Sequence, residues 1–263
     1  MGTQNRATLT LCVALSALLF SSTALQAQQQ SVRVAAAADL RFAMEELAKK
    51  FENKTGARVD VSYGSSGNFF SQLQNGAPFD LFFSADVEYP RKLEKQGFVE
   101  PGTLGDYALG RIVIWMPDDS SVDLAKEGWN ALLDLGVQKI AIANPELAPY
   151  GRAAASALKK AGIYEQVKAK LVYGENISQA AQFVQSRNAQ AGIIALSLAF
   201  SPGMKDGKMW EIPSEMHPRI EQGAALLKNA KNRSAALAFL NFVKSASGVK
   251  ILEQHGFSAP ATD

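Results

Sequence analysis

Short apolar runs alternate with stretches of helical periodicity from residue 32 onward, and this order constrains the fold more than any other feature. Residues 32–38 have strand character, and apolar residues then recur at helical spacing as far as Gly56. Residues 59–63 and 79–84 have strand character too, and each is followed by another helical stretch. This β-α-β-α-β order predicts a mostly parallel sheet with helices on its faces.

The same alternation continues to the C-terminus. Further strands are predicted at 110–116, 139–143, 191–195 and 222–227. Helices are predicted near 129–133, at 151–161, at 177–186 and twice within 234–255. The length of 263 residues suits one large domain or two lobes of roughly 100 residues each.

Residues 1–27 have the pattern of a secretory signal peptide. Arg6 precedes an apolar run at 9–20, small residues follow, and a polar glutamine stretch comes next. The apolar run is too short to span a bilayer comfortably, so we expect export and cleavage after Ala27, with Ala24 as the alternative site. The other interpretation of this segment is a buried N-terminal helix.

The remaining composition indicates a soluble exported protein without affinity for nucleic acid. The single cysteine, Cys12, lies in the predicted signal peptide, so the mature chain has no thiol or disulfide chemistry, which is compatible with export. Lys and Arg number 27 against 25 Asp and Glu, and the basic residues are scattered. This balance removes the electrostatic case for nucleic-acid binding. No later apolar run is long enough for a membrane span.

Residues that support catalysis or metal coordination are scarce. Beyond residue 27 the only histidines are His217 and His255, in separate contexts. His/Cys metal clusters are thereby excluded, and a serine triad would need one of these histidines beside a buried acid. Gly-x-Ser-x-Gly, phosphate-loop and dinucleotide-binding motifs are absent as well. The sequence predicts a protein that is not an enzyme and has no cofactor.

Three junctions between a predicted strand and the following helix carry polar residues that could bind a ligand. Ligands of open α/β sheets bind beyond the carboxyl ends of the strands, where these junctions lie. Asp39 is placed to cap a helix, and residues 144–152 combine two prolines, a glycine, Tyr150 and an arginine. Residues 64–68, Gly-Ser-Ser-Gly-Asn, offer hydroxyls, close backbone approach and a helix start that attracts anions. An ordinary turn with a helix cap is the alternative at each junction.

Six segments are distinctive when they are taken in chain order: Val-Ala-Ala-Ala-Ala-Asp-Leu at 34–40, Tyr-Gly-Ser-Ser-Gly at 63–67, Gly-Ala-Pro-Phe-Asp-Leu-Phe-Phe-Ser-Ala-Asp at 76–86, Asn-Pro-Glu-Leu-Ala-Pro-Tyr-Gly at 144–151, Gly-Ile-Ile-Ala at 192–195 and Gly-Phe at 256–257. Together they resemble the periplasmic molybdate-binding proteins of bacterial ABC transporters. The resemblance covers essentially the whole mature chain.

The resemblance implies an α/β fold of the two-lobed, type II-like periplasmic binding protein kind. Each lobe would be a mostly parallel sheet flanked by helices, and the ligand cleft would lie between the lobes. The expected lobes are residues 32–108 with 226–263, and residues 109–225. We expect the protein to be a monomer.

The resemblance also implies a function. The protein would bind molybdate, and tungstate because of its similar size and charge, with high affinity in the periplasm, and deliver it to a membrane permease and its ATPase. Molybdenum would be present only as the bound oxyanion. The alternatives are a binding protein for another oxyanion or a small acidic solute, an enzyme on the same scaffold, and a protein that presents a ligand to a sensor.

Carried over position by position, the resemblance implies five oxyanion-binding residues. Ser66 would bind through its hydroxyl and backbone N–H, and Tyr150 and Ile177 through backbone N–H groups. Asp39 stands where the best-known members have serine, and Ala195 where they have tyrosine.

Both departures have chemical consequences. A carboxylate at Asp39 repels a dianion unless it faces away, presents only its backbone N–H, or holds a proton. Ala195 has no side-chain donor. The missing hydrogen bond could come from Tyr150, Ser65 or Asn68, and mutation of each residue with measurement of affinity tests this.

Overall fold

The computed structural model of the protein describes residues 31–260. The predicted signal peptide, residues 1–27, lies outside the described residues. The chain forms two five-stranded sheets with helices packed on them. This confirms the α/β class and the two-lobed organisation.

The first sheet has the strand order β2-β1-β3-β10-β4. β1 is parallel to β2 and β3, whereas β10 is antiparallel to β3 and β4. One strand therefore runs against the other four, which confirms a mostly parallel sheet. The strands are β1 (Ser31–Ala37), β2 (Arg58–Gly64), β3 (Leu81–Ser84), β4 (Gly105–Gly110) and β10 (Ile220–Leu226).

The second sheet has the equivalent order β7-β6-β8-β5-β9. β6 is parallel to β7 and β8, and β5 is antiparallel to β8 and β9. Here β5 is the strand that runs against the others. The strands are β5 (Ile112–Pro117), β6 (Ile140–Ala143), β7 (Leu171–Gly174), β8 (Ala191–Ala195) and β9 (Gly207–Glu211).

Most predicted helices are present within a few residues of their expected bounds. The stretch near 129–133 is instead a 3-10 helix, Gly128–Leu133, and a 3-10 turn at Ala38–Leu40 separates β1 from the first long helix. The α-helices are α1 (Arg41–Thr55), α2 (Ser66–Gln74), α3 (Glu88–Lys95), α4 (Leu124–Glu127), α5 (Pro149–Lys160), α6 (Tyr164–Val167), α7 (Ile177–Gln185), α8 (Leu196–Ala199), α9 (Arg233–Lys244) and α10 (Ala246–Gln254).

The chain crosses between the sheets twice. The first crossing is at Arg111, between β4 and β5, and the second lies between β9 and β10. The expected lobe limits of 109 and 226 therefore fall within β4 and at the end of β10. Because β10 pairs with β3 and β4 over its whole length, the return to the first sheet begins at Ile220.

The lobes are in direct contact through a shared set of buried apolar residues. Ala38 and Ala85 follow strands of the first sheet, and they belong to the same buried cluster as Tyr150, Ile177 and Ala195 of the second lobe. These contacts bring together the ends of the two sheets, and the candidate strand-to-helix junctions lie at those ends. Within residues 31–260, no individual helix has the length and apolar character to cross a membrane, although the bent pair α9 and α10 together meets that criterion.

Candidate functional site

The five predicted oxyanion-binding residues lie where strands end and helices begin. Asp39 is in the 3-10 turn after β1, Ser66 is the first residue of α2, and Tyr150 is the second residue of α5. Ile177 is the first residue of α7, and Ala195 ends β8 immediately before α8. None of the five is more than 3% exposed. They therefore line a closed contact between the lobes.

Three helix starts supply backbone donors at this contact. The first N–H groups of a helix have no intrahelical acceptor, because the carbonyl four residues earlier lies outside the helix. Within residues 31–260, the N–H groups of Ser66, Tyr150 and Ile177 make no hydrogen bond. They also lie at the positive ends of helix dipoles, which favour bound anions.

Two serine hydroxyls add donors at the start of α2. Ser66 Oγ accepts a hydrogen bond of 2.9 Å from the Ala85 N–H, and Ser65 Oγ caps the helix by accepting one of 3.3 Å from the Asn68 N–H. Each hydroxyl uses an oxygen lone pair in these bonds, so its hydrogen remains free to donate. A ligand could therefore receive both a hydroxyl and a backbone donor from this one helix start.

Asp39 belongs to a buried hydrogen-bond network. Its Oδ2 accepts bonds from the Tyr150 hydroxyl at 2.9 Å and from Gln222 Nε2 at 2.6 Å, and Gln222 Oε1 accepts one from the Tyr107 hydroxyl. The prediction that Asp39 caps a helix is wrong. Neither the 3-10 turn nor α1 has a side-chain cap bond, since α1 begins only at Arg41 and the carboxyl is engaged across the lobe contact.

Burial controls the electrostatics of this network. Removal from water raises the pKa of Asp39 to about 6, although the hydrogen bonds from Gln222 and Tyr150, and to a lesser degree the nearby backbone N–H groups of Asp39 and Leu40, oppose part of that rise. Burial also raises the pKa of Tyr150 and Tyr107 well above the usual value, and the nearby Asp39 carboxyl adds to this. Both tyrosines are therefore neutral hydrogen-bond donors at physiological pH.

Two members of the network, Gln222 and Tyr107, were not predicted as site residues. Gln222 is fully buried in β10, and the residues that follow it in this strand are glycine, alanine and leucine. A glutamine in such a strand is a usable sequence signal, because buried polar groups require partners. Tyr107 is in β4, which was not predicted as a strand, so its side chain could not be assigned to a face.

The alternative donors proposed from the sequence are only partly free. The Tyr150 hydroxyl donates to Asp39, and Asn68 Nδ2 donates to Glu175 Oε1 across the lobes at 2.8 Å. Ser65 thus remains the alternative whose side-chain hydrogen is not committed. Ala195 contributes an apolar surface to the lobe contact.

Neither histidine approaches this site with a catalytic partner. His217 Nδ1 lies against the carbonyl of Pro218, and His255 pairs with Glu46 at 3.0 Å between α10 and α1. Within the described part of the chain, no group of three or more His, Cys, Asp and Glu residues is arranged to hold a metal ion. The site is suited to hydrogen-bonding an anion's oxygen atoms.

Comparison with known proteins agrees with this architecture. Residues 32–258 match the family described as bacterial extracellular solute-binding protein. The chain is 39% identical over 248 residues to the molybdate-binding protein ModA of Azotobacter vinelandii, covering 94% of this chain and 96% of the relative. It is 37% identical to ModA of Rhodobacter capsulatus, covering 89% and 90% of the two chains.

A solved structure has the same fold over most of the chain. The periplasmic molybdate-binding protein of Azotobacter vinelandii superposes with a TM-score of 0.82 at 33% identity, covering 88% of this chain and all of that one. The chain belongs to the bacterial extracellular solute-binding protein family.

Proposed function

We propose that the protein binds molybdate, and tungstate with it, in the periplasm and delivers it to an ABC transporter permease and its ATPase. The observation that carries this proposal is that three buried helix starts, at Ser66, Tyr150 and Ile177, have unpaired N–H groups, to which the Ser66 hydroxyl adds a donor. Relatives at 39% and 37% identity over most of the chain are molybdate-binding proteins.

Neutral donors can hold a dianion without a salt bridge. Several helix starts share its charge, and their dipoles are already oriented in a site that excludes water. We assign ligand contacts to Asp39, Ser66, Tyr150, Ile177 and Ala195, with Ser65 as a secondary donor. Molybdenum would be held only through the oxygen atoms of the anion.

The protein acts in this proposal as a transport component and not as an enzyme. It is exported by its signal peptide and functions as a monomer, and residues 32–110 with 220–258 close on residues 112–211 around the ligand. Closure about the two crossing segments is a hinge motion, and the closed form is the one that a permease would recognise.

A melting experiment tests the ligand. We expect molybdate and tungstate, each at 100 times the dissociation constant, to stabilise the mature protein by about 2.7 kcal/mol, because they bind the folded state alone. Thermal unfolding with sulfate and phosphate in parallel is the control. Absence of a shift with both molybdate and tungstate contradicts the proposal.

A second candidate is a binding protein for another oxyanion or small acidic solute. The observation that favours it is the Asp39 carboxyl, which replaces a neutral donor and accepts hydrogen bonds when it is ionised. A shift with phosphate or sulfate alone in the same experiment would select this candidate.

A separate prediction of smaller effect concerns Arg152 of the second lobe, which contacts the first lobe. Arg152 pairs with Asp86, bonds the Tyr89 hydroxyl at 3.2 Å and lies 5.7 Å from the Tyr89 ring centre. We expect Arg152→Ala to weaken molybdate binding about threefold to tenfold, because it removes a half-exposed ion pair and a cation–π contact from the closed form. Calorimetric titration measures the change.

The matched control for this variant is Arg91→Ala. Arg91 pairs with Glu88 inside α3 and makes no contact of this kind between the lobes. The affinity of Arg91→Ala for molybdate should equal that of the wild type. Equal affinities for the two variants would show that the Arg152 contact does not stabilise closure.

A further inference from the structure

One oxygen atom at the lobe contact is buried without a partner. Asp39 Oδ1 makes no hydrogen bond and is the only such buried side-chain nitrogen or oxygen atom within residues 31–260. Oδ2 of the same carboxyl accepts two bonds. A bare carboxylate oxygen is costly away from water, because burial removes hydration that nothing replaces. Oδ1 therefore requires either a proton or a donor.

The position of Asp39 connects this atom to the ligand donors. The turn at Ala38–Leu40 packs against the N-terminal ends of α7 and α8. Ser178 Oγ donates to the Ala38 carbonyl and Ser197 Oγ to the Asp39 carbonyl, both at 2.9 Å. Asp39 thus lies beside the start of α7, which supplies one free N–H group, and its carboxyl is bonded by Tyr150 at the start of α5, which supplies another.

No positive charge compensates this carboxyl. α7 and α8 contain no ionisable side chain. On α1, Arg41 pairs with Glu45 at 3.5 Å, and on α5, Arg152 pairs with Asp86. The other ionisable groups on β1, β4 and β10 and at the crossing after β4 are the neutral Tyr107, the exposed Asp106, and three arginine-containing pairs, Arg33 with Asp80, Arg111 with Glu211 and Arg219 with Glu221.

A dianion beside an ionised Asp39 would place two like charges in a site without water. Their repulsion is strong in such surroundings. A proton on Oδ1 removes the repulsion and converts the unpartnered acceptor into an O–H donor that can point at an oxygen of the anion. We propose, on the basis of the proposed function, that the site takes up its oxyanion together with one proton from solvent, which Asp39 Oδ1 holds against the anion.

The direction of the pH effect follows from the free and bound states. In the closed form, burial raises the pKa of Asp39 to about 6, and a neighbouring dianion raises it further. Above about pH 6 the free protein lacks the proton, so binding must take it up and affinity falls as pH rises. Opening of the lobes would expose Asp39 to water and lower its pKa, so the carboxyl of the free protein is protonated, and affinity levels off, only below about pH 6.

Calorimetric titration of the full mature protein with molybdate tests the inference. The titration is made from pH 5.5 to 8.5, and at pH 8 in two buffers of different ionisation enthalpy. We expect about a tenfold rise in Kd from pH 7 to pH 8 and uptake of about one proton. Asp39→Asn and Asp39→Ser should each lose the pH dependence, whatever their absolute affinity. The exposed Glu94→Gln control, on α3, should keep the wild-type slope.

The outcomes separate this inference from the function on which it rests. Tight binding by the wild type with a constant Kd and no proton uptake overturns the inference alone. A wild-type slope retained in Asp39→Asn also overturns it, because another group would then titrate. If both Asp39 variants fail to bind, the wild-type titration decides: uptake of about one proton on binding supports the inference, and no uptake overturns it. Failure of the wild type to bind molybdate or tungstate at every pH overturns the proposed function and the inference together.

Discussion

Replacing Gly67 with alanine is expected to weaken molybdate binding by about 30-fold while leaving the protein folded. Gly67 is the second residue of α2, and its N–H donates to the Leu147 carbonyl of the other lobe at 3.0 Å. A Cβ atom at this position would lie 2.7 Å from that carbonyl oxygen. The methyl group therefore collides with backbone only when the lobes are closed.

The magnitude follows from overpacking. Inserting a methyl group into a fixed contact costs about 2 kcal/mol, which corresponds to about 30-fold in affinity when the cost falls on the closed form alone. In the open form the Cβ atom would meet only the Tyr89 hydroxyl, 3.1 Å away at the end of a side chain that can shift, and alanine favours a helix more than glycine does. The thermal midpoint without ligand should therefore be unchanged or slightly raised.

Calorimetric titration and thermal unfolding together check this prediction. Ser71→Ala, on the exposed side of the same helix, is the matched control and should bind as the wild type does. Wild-type affinity in the Gly67 variant would mean that ligand binding does not require this approach of the two lobes.

The order of strands and helices was predictable because each buried element has its own local pattern. β1, β3 and β8 are buried along nearly their whole length, and their apolar runs identified them. The strands β4, β7 and β9 were not predicted, and all three lie at sheet edges. An edge strand pairs on one side only, so partly exposed positions interrupt its apolar pattern, as Lys208 does in β9.

The candidate site was predictable only in part, for a related reason. The Gly-Ser-Ser-Gly-Asn junction at 64–68 locates a helix start from sequence alone, because glycine and an N-cap serine act within a few residues. The Asp39 network instead joins Asp39 to Tyr150 and Gln222, which are 111 and 183 residues away in the chain. Local periodicity has no information about such contacts, so the partners of a buried carboxyl appear only once both lobes are in place.

Replacing Asp80 with alanine is expected to destabilise the first lobe by about 3 kcal/mol. Asp80 is fully buried beside the start of β3. Its carboxylate accepts the Arg33 N–H of β1 at 2.8 Å and the Lys231 N–H at 2.7 Å, just before α9. Truncation removes the acceptor of both part-buried backbone bonds and the carboxylate that lies 3.5 Å from the Arg33 guanidinium, and each lost acceptor costs about 1–3 kcal/mol. Thermal unfolding should show a midpoint lower by about 6–12 °C.

Two comparisons distinguish the loss of the Asp80 acceptors from the loss of an ordinary surface carboxylate. Asp60→Ala, in neighbouring β2, removes a half-exposed carboxylate that bonds Ser31 and Arg58, and it should cost less than about 1 kcal/mol. Asp80→Asn should remain destabilised, because its amide nitrogen would face one of the two N–H groups and only its oxygen could still accept. Full stability in the asparagine variant would contradict this account. Molybdate should still stabilise the Asp80 variants. Asp80 holds the segment before α9 against β1, whereas the donors assigned to the ligand lie at other junctions between strands and helices.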